Sequence, residues 1–471
     1  MNRPFAPDPA RPGSDAQPAL YRPPAPYPVS PHRALWRAIV NFRRDLITLL
    51  PGEAYRELDF KLGVSRRSIF LLNDPETVRR AMNEDRPLYP KNDLMVGALV
   101  PVVGDGLFIS EGQSWERHRR MIDPAFAHMR INRAFGHMAA AVSDAEPRLD
   151  AAAAEGRVLS LEEEMSGLTA DIVFRTIFSQ RLDGGTAARV FEAFARYQNA
   201  VANVSLRHLL LSPAWTEVRQ PAAALAAAAE IRTLVGGMIE RRRAMTEMPD
   251  DIATDIVRAR DPESGEGFTE VEMLDQISTF FMAGHETTAS VLTWALFILS
   301  QQPATVAAMR QEIAEAAGDG PIPASAVKRL TLTRNVFREA LRLYPPVTFL
   351  ARVAAADTEI GGLEIPKGAM VLICPWTMHR HEALWTAPDR FDPDRFTPAR
   401  EAEILPGSYI PFGQGPRLCV GIAFAMMEAV LILAAWVRRY DIETLAPERV
   451  RPVARLTTRP ARDIRIRLQR R

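Results

Sequence analysis

The chain has 471 residues, 47% of them hydrophobic, and a formal net charge of +1. That is enough apolar material for a large core, and length alone suggests about three domains of ~150 residues, while the balanced charge gives no global field to draw nucleic acid. Two cysteines, Cys374 and Cys419, exclude a disulfide framework and fit a reducing compartment, so a cytoplasmic protein is expected.

The first 31 residues hold ten prolines and no apolar stretch of signal-peptide kind. They are expected to form a disordered or extended tail. Beyond them there is no repeat, no second linker of this quality, and no run that reads as a membrane span. Helical periodicity dominates from about Ser160 to Arg342. Within it, "NVSLRHLLLSPAW" is unusually apolar for a connection. Leu206 to Trp215 therefore reads as a lid over a substrate entrance, as a lipid contact, or as core packing.

The longest helix lies in "FTEVEMLDQISTFFMAGHETTASVLTWALFILSQQP". Thr269 and Glu272 form a capping box at its start and Pro303 stops it. About 33 residues make a rod of roughly 50 Å, apolar on every side in its middle, so it is expected to run through the core. After Pro345 the texture changes. "TEIGGLEIPKGAMVLICPW" reads as a small sheet with Cys374 as a core thiol. Helix returns at Gly421, and "ARLTTRPARDIRIRL" reads as a terminal hairpin. The expected class is mainly α with a minor β region.

Two stretches carry chemistry. Inside the apolar rod, "AGHETT" places polar groups where burial is costly. Ala283 and Gly284 remove bulk, the Thr287 hydroxyl can bond the Ala283 carbonyl four residues back, and Glu286 adds an ionisable group. This is either a kinked helix with a polar turn or a groove for a small ligand with proton donors at hand. In "PFGQGPRLCVGIAFAMMEAVLILAAW", Cys419 sits just before a helix, where free amides favour a thiolate. Gly413, Gly415 and Gly421 let the backbone turn tightly and let something flat approach, and Arg417 suits a carboxylate. The arrangement describes an axial ligand for haem with the Arg on a propionate. A buried thiol or a nucleophile competes, although no His is placed by sequence to serve as its base.

At this point "FGQGPRLCVG" is seen to match the Phe-x-x-Gly-x-Arg-x-Cys-x-Gly signature of the cytochrome P450 family at Phe412, Gly415, Arg417, Cys419 and Gly421. "AGHETT" resembles the family's oxygen-binding turn, with Ala283 and Gly284 beside the haem and Glu286 and Thr287 as an acid–alcohol pair. Glu339 and Arg342 in "EALR", with Arg395 in "FDPDRF", resemble its structural ion-pair motif. "GQSWERHRRMIDPAF" resembles the helix that carries Trp115 and Arg119 toward a haem propionate, and Arg352 is assigned to the cofactor as well. The matches run in family order from Trp115 to Gly421. One haem domain over residues 32–471 therefore replaces the three that length suggested.

The resemblance implies the cytochrome P450 fold, with haem b held between the long helix and the loop of Cys419, whose thiolate is the metal ligand. It implies a monooxygenase that activates O2 and inserts one oxygen atom into a hydrophobic small molecule by hydroxylation or epoxidation. Glu286 and Thr287 relay the protons. The chain has no flavin or iron–sulfur segment, so a separate ferredoxin or flavodoxin is the expected donor, and the run Arg117, Arg119, Arg120 offers a docking surface for an acidic partner. A solvated helix face is the competing reading for Arg117 and Arg120. Substrate is expected at Phe280, Phe281 and Met282, at Val347, Thr348, Phe349 and Leu350, and at Leu456 and Thr457. His285 has no assigned role. A monomer with no membrane span and no nucleic-acid partner is expected. The alternatives are a peroxide-driven or non-oxidative relative, or a haem-binding sensor without turnover.

Overall fold

The computed structural model describes residues 20–26, 29–30, 45–62, 68–126, 128–182, 185–201, 219–454 and 457–471. Helix makes up 56% of the chain and strand 11%, so the mainly helical reading holds. The helices longer than one turn are α1 (Pro75–Met82), α2 (Asp93–Val103), α3 (Gly112–Ile122), α4 (His128–Ala154), α5 (Leu161–Phe178) and α6 (Gly185–Ala200). They continue as α7 (Ala222–Arg243), α8 (Ile252–Arg258), α9 (Glu270–Ser300), α10 (Pro303–Ala317), α11 (Thr331–Leu343) and α12 (Ile422–Arg439).

Helix α9 is the axis of the molecule. Its start is the expected capping box: the Glu272 amide donates to the Thr269 hydroxyl at 3.2 Å, and the Thr269 amide donates to Glu272 Oε2 at 2.7 Å. Thirty-one residues at ~1.5 Å each give a rod of roughly 46 Å. Pro303 opens α10 after a sharp bend. Two hydrophobic clusters divide α9 between them. Met273 to Met282 pack with α2, α5, α6 and α7, whereas Ala289 to Leu299 pack with α4, α11 and α12. The "AGHETT" turn therefore falls at the seam between two cores, the one place along the rod where its sides are not filled by a single apolar cluster.

Strands β1 (Asp59–Lys61), β2 (Ile69–Leu72), β3 (Leu159–Ser160), β4 (Leu350–Val353), β5 (Thr358–Ile360), β6 (Leu363–Ile365) and β7 (Met370–Ile373) precede α12. After it come β8 (Tyr440–Thr444), β9 (Pro452–Ala454), β10 (Thr458–Pro460) and β11 (Arg465–Arg470). The sheet expected after Pro345 is present as β4 to β7. Its main part is the four-stranded order β1-β2-β7-β4, with β2 parallel to β7, so two of its strands come from Asp59–Leu72, which pattern alone had left unassigned. The terminal hairpin is a correction. β10 pairs back onto β9, whereas β11 pairs with β8 and β3 in another sheet. The alternation of β11 explains the split, because Ile466 and Leu468 turn inward while their neighbours face out.

Within the stretch expected to be disordered or extended, residues 20–26 run without helix or strand along the protein. Tyr344 Oη donates to the Pro24 carbonyl at 2.6 Å, the Phe391 amide to Tyr21 O at 2.8 Å, and Arg390 Nη1 to Leu20 O at 2.9 Å. Helix α7, with 22 residues, is long and apolar enough to cross a membrane, which the sequence reading had not picked out. Its Ile231, Val235 and Ile239 are buried. Its Glu230 pairs with Arg196 at 2.8 Å, and its Arg232 pairs with Asp275 of α9 at 2.7 Å, as suits a helix packed on a protein core. The Leu206–Trp215 segment and Leu456 lie outside the described residues.

Candidate active site

The loop before α12 is built around its cysteine. Gly413 and Gly415 take φ of 76° and 72°, which L side chains rarely adopt. A Cβ on Gly415 would also lie 2.5 Å from Asn83 Oδ1. The Cys419 amide donates to the Phe412 carbonyl at 3.0 Å and closes the loop. Gly421 caps α12, and a Cβ there would lie 3.9 Å from the Cys419 sulfur. Cys419 is exposed, yet its sulfur has protein packed densely around it. The Gly421 amide at the helix start acts on the sulfur in the direction expected, toward the thiolate. Desolvation pushes the Cys419 thiol up, and the Gly421 amide and Arg119 pull it back only in part. An added positive charge at the sulfur is what would favour the thiolate. Cys374 is fully buried, its thiol pushed up to about 11 by desolvation.

Cations gather beside this loop. The Trp115 indole is buried between two guanidinium groups, Arg417 at 4.3 Å and Arg86 at 4.8 Å. Arg417 donates to Ser110 O at 2.8 Å and pairs with Glu111 at 2.5 Å. Arg119 donates to the carbonyl of Leu418, the residue before the cysteine, at 2.8 Å. Arg352 is buried, bonded to the Ala351 carbonyl at 3.0 Å, and forms a bridge with Lys91. Burial, reinforced by mutual repulsion, pushes Arg417 down to about 10 and Lys91 down to about 6. Burial likewise lowers Arg352. Glu111 is the acid that opposes all three shifts. These cations outnumber their counter-charge, which is the donor set a dicarboxylate group needs. Lys91 and Arg86 were missed from sequence. They stand in no motif, and the fold brings them in through the Lys91–Arg352 bridge and the stack on Trp115.

On α9, the Thr287 hydroxyl donates to the Ala283 carbonyl at 2.8 Å, as spacing predicts. Gly284 has a packing role that the sequence did not show. A Cβ there would lie 3.0 Å from Val173 Cγ2, so its lack of a side chain lets α5 pack against α9. His285 is buried, held to the Phe281 carbonyl at 2.8 Å and stacked on the Phe281 ring at 4.8 Å. Glu286 is buried and fully engaged. Its Oε1 accepts from the Thr457 hydroxyl at 2.7 Å and from Arg459, and its Oε2 accepts from Gln198. Gln198 and Arg459 were missed too, because only the tertiary fold joins α6 to the C-terminal strands.

Several expected substrate contacts are committed to the protein itself. Phe281 lies between Phe194 at 4.6 Å and Phe174 at 4.8 Å, and Phe280 packs on Phe126 at 5.0 Å. Met282 is buried in the same cluster. Thr348 is buried against the Thr458 hydroxyl at 3.0 Å. Val347, Phe349 and Leu350 are half-buried, as is Phe412. Of the basic run on α3, Arg117 pairs with Glu272 at 2.6 Å, and Arg120 pairs with Asp261 at 3.1 Å and Glu263 at 2.9 Å. Arg119 pairs with Asp123 at 2.6 Å as well, so the docking surface is neutralised at all three of its positions.

The Glu339–Arg342 pair is fully buried, with both contacts at 2.7 Å, and Arg395 Nε joins Glu339 at 3.3 Å. Arg342 also donates to the carbonyls of His379 and Pro388 at 2.6 Å. These residues brace the segment leading to the cysteine loop.

The sequence matches the family model for cytochrome P450 across residues 56–464. The chain belongs to the cytochrome P450 family. This P450 is 33% identical to cyclooctatin synthase of Streptomyces melanosporofaciens over 435 residues, 91% of this chain and 92% of that protein. It is 32% identical to the cyclooctat-9-en-7-ol 5-monooxygenase of the same organism, over 87% of this chain and 86% of that protein. Among solved structures it resembles the cytochrome P450DA haem domain, with a TM-score of 0.79 and 26% identity over 96% of this chain and 99% of that one. Membership makes the enzyme a P450 monooxygenase and implies haem held through a cysteine thiolate, a small-molecule substrate, O2 and a redox partner.

Proposed function

We propose that this P450 holds haem b through Cys419 and inserts one oxygen atom from O2 into an apolar, ring-bearing alkene or alkenol of terpenoid kind. The observation that carries the haem assignment is the cluster of Arg352, Arg417 and Lys91, cations lowered by desolvation with Glu111 as their shared acid, in which Arg417 stacks on Trp115. When bound, haem supplies oxygen activation, with the thiolate pushing electron density toward the iron. Arg352, Arg417 and Lys91 bind the propionates, and Trp115 keeps the Arg417 guanidinium in place. Arg119 ties α3 to the backbone beside Cys419.

The chain's own residues handle protons and orientation. Thr287, anchored on the Ala283 carbonyl, presents its hydroxyl oxygen at the seam of the two cores and orders water there. Glu286 hands protons to that water. Val347, Phe349 and Leu350 give an apolar wall that orients the substrate and excludes bulk water. The support for a cyclic alkenol is that apolar wall and the relative named for cyclooctat-9-en-7-ol. A separate ferredoxin or flavodoxin supplies two electrons per turnover, with the monomer as the working unit.

Turnover with a reconstituted ferredoxin pair, labelled dioxygen and a panel of terpene alkenes, fatty acids and steroids tests this reading. One labelled oxygen atom in a terpenoid product supports it. Label confined to fatty-acid or steroid products contradicts the substrate class, and product formed only with added hydrogen peroxide contradicts the electron supply.

A further inference from the structure

A surface cleft of about 430 Å³ lies where the end of α7, the end of α8 and the start of α9 meet. Its apolar floor is Val257, Phe268 and Met273, and the last two are buried. Among the described residues its charged lining groups are two arginines, Arg243 in the last turn of α7 and Arg260 in the loop after α8. No residue of the cysteine loop, of the cation cluster at Arg417 or of the polar turn in α9 lines it.

The loop that carries Arg260 is closed on itself. Arg260 and Gly267 form an antiparallel bridge, the Asp261 amide donates to the Glu266 carbonyl at 2.8 Å, and the Gly265 amide donates to the Asp261 carbonyl at 2.8 Å. A Cβ on Gly267 would lie 2.3 Å from Arg260 Nη1, so the missing side chain is what admits the guanidinium. The Gly267 carbonyl also accepts from Arg117 Nη2 at 2.7 Å. Nearby acids are committed to other cations: Asp261 and Glu263 to Arg120, Glu272 to Arg117, and Glu270 to Arg243. The Arg260 guanidinium, by contrast, donates to the carbonyl of its own neighbour Ala259 at 3.0 Å and pairs with no carboxylate among the described residues.

We propose that this cleft binds a small amphipathic anion: a monocarboxylate whose apolar body lies on Val257, Phe268 and Met273 while its carboxylate reaches Arg260. A guanidinium without a counter-ion presents paired N–H donors that match a carboxylate. The volume falls within the ~300–1,000 Å³ typical of small-molecule sites. A bare inorganic anion would leave the floor to water, and a neutral hydrocarbon would leave the guanidinium unpaired. The lining therefore selects for both features in one molecule. Arg243 adds a second cation at the rim, held back by its pair with Glu270. The site is separate from the one proposed for oxidation and does not depend on that reading.

The test uses the haem-loaded enzyme with saturating 4-phenylimidazole, which occupies the haem cavity and leaves a probe only sites elsewhere. Calorimetric titration with 4-phenylbutyrate should show one site. Its neutral counterpart, 4-phenylbutyramide, should bind about tenfold more weakly, the factor of one charge-assisted hydrogen bond. Arg260→Ala should weaken 4-phenylbutyrate about tenfold, with an unchanged melting temperature and unchanged affinity for the amide. Gly267→Ala should weaken it as well, by pushing the guanidinium aside. Glu270→Gln, which releases Arg243, should tighten it by up to about fivefold, the range of one exposed ion pair. Amide hydrogen exchange over residues 257–269 should slow when the probe binds. No binding to wild type overturns the proposal. Equal affinity for carboxylate and amide, or an Arg260→Ala variant that binds 4-phenylbutyrate as wild type does, overturns it too.

Discussion

The Thr287 hydroxyl donates to the Ala283 carbonyl at 2.8 Å, one turn back along α9 and at the seam between the two hydrophobic cores. A bond of this kind contributes only ~1 kcal/mol to stability, so Thr287→Ala should leave the fold nearly untouched. Its effect should be on chemistry. Positioned proton donors accelerate reactions by ~10²–10⁴-fold, and without this one hydrogen peroxide per reductant consumed should rise as product falls roughly tenfold or more. Thr288→Ala, whose side chain is buried on the next position, should do this far less. Equal coupling in wild type and Thr287→Ala would reduce the turn to a kink.

Gly284 and Val173 make a packing claim that competes with a cofactor role. An alanine at 284 gains up to ~1 kcal/mol of helix propensity over glycine. It must also push on Val173 Cγ2 at 3.0 Å, and such overpacking costs about 1–3 kcal/mol. Gly284→Ala should therefore be neutral to about 2 kcal/mol destabilising in chemical denaturation, and Val173→Ala should relieve the crowding in the double variant. Additive losses in the double variant would show that the two residues do not meet.

Lys91 gives the account a pH dependence. Burial and the neighbouring Arg417 hold its ammonium near a pKa of about 6 in the protein without a dicarboxylate. Two propionates would restore the charged form, so above pH 6 haem binding takes up a proton. Haem affinity should then be flat below pH 6 and fall as pH rises above it, by up to tenfold per unit for one linked proton. Lys91→Met should flatten that slope. A titration of the haem-free protein at several pH values checks it, and an identical slope in the variant would remove Lys91 from the propionate site.

The buried pair Glu339–Arg342 predicts a stability defect and no catalytic signature. Glu339→Gln leaves the Arg342 charge in the core beside Arg395, and breaking such a pair costs about 3–5 kcal/mol. Denaturation midpoints should fall accordingly, with the peroxide-to-product ratio of the surviving folded enzyme unchanged. A shifted ratio at full stability would give the motif a role in turnover.

The long helix and the cysteine loop were legible in the sequence because their signals are local. Thr269 and Glu272 are three residues apart, Thr287 and Ala283 are four, and Cys419 with its glycines fills one loop. What stayed hidden depends on contacts between distant segments. Strands β1 and β2 are too short to show a period, and β11 was read with the wrong partner because β8, the strand it pairs with, lies beyond β9 and β10 in the chain. Gln198, Arg459 and Lys91 reach the site only through tertiary packing, with no residue pattern to mark them. Gly284 shows the opposite limit. Its place in a motif suggested space for a ligand, and the contact with Val173 that also calls for a glycine there could not be read from the motif.

The most direct test of the central claim is the absorption spectrum of the dithionite-reduced protein under carbon monoxide, taken for wild type, Cys419→Ser and Cys374→Ser. Cys419 should be the thiolate ligand, so wild type and Cys374→Ser should share the thiolate-type CO band, and Cys419→Ser should lose it while still melting cooperatively. A CO band that survives Cys419→Ser and disappears in Cys374→Ser would contradict the account.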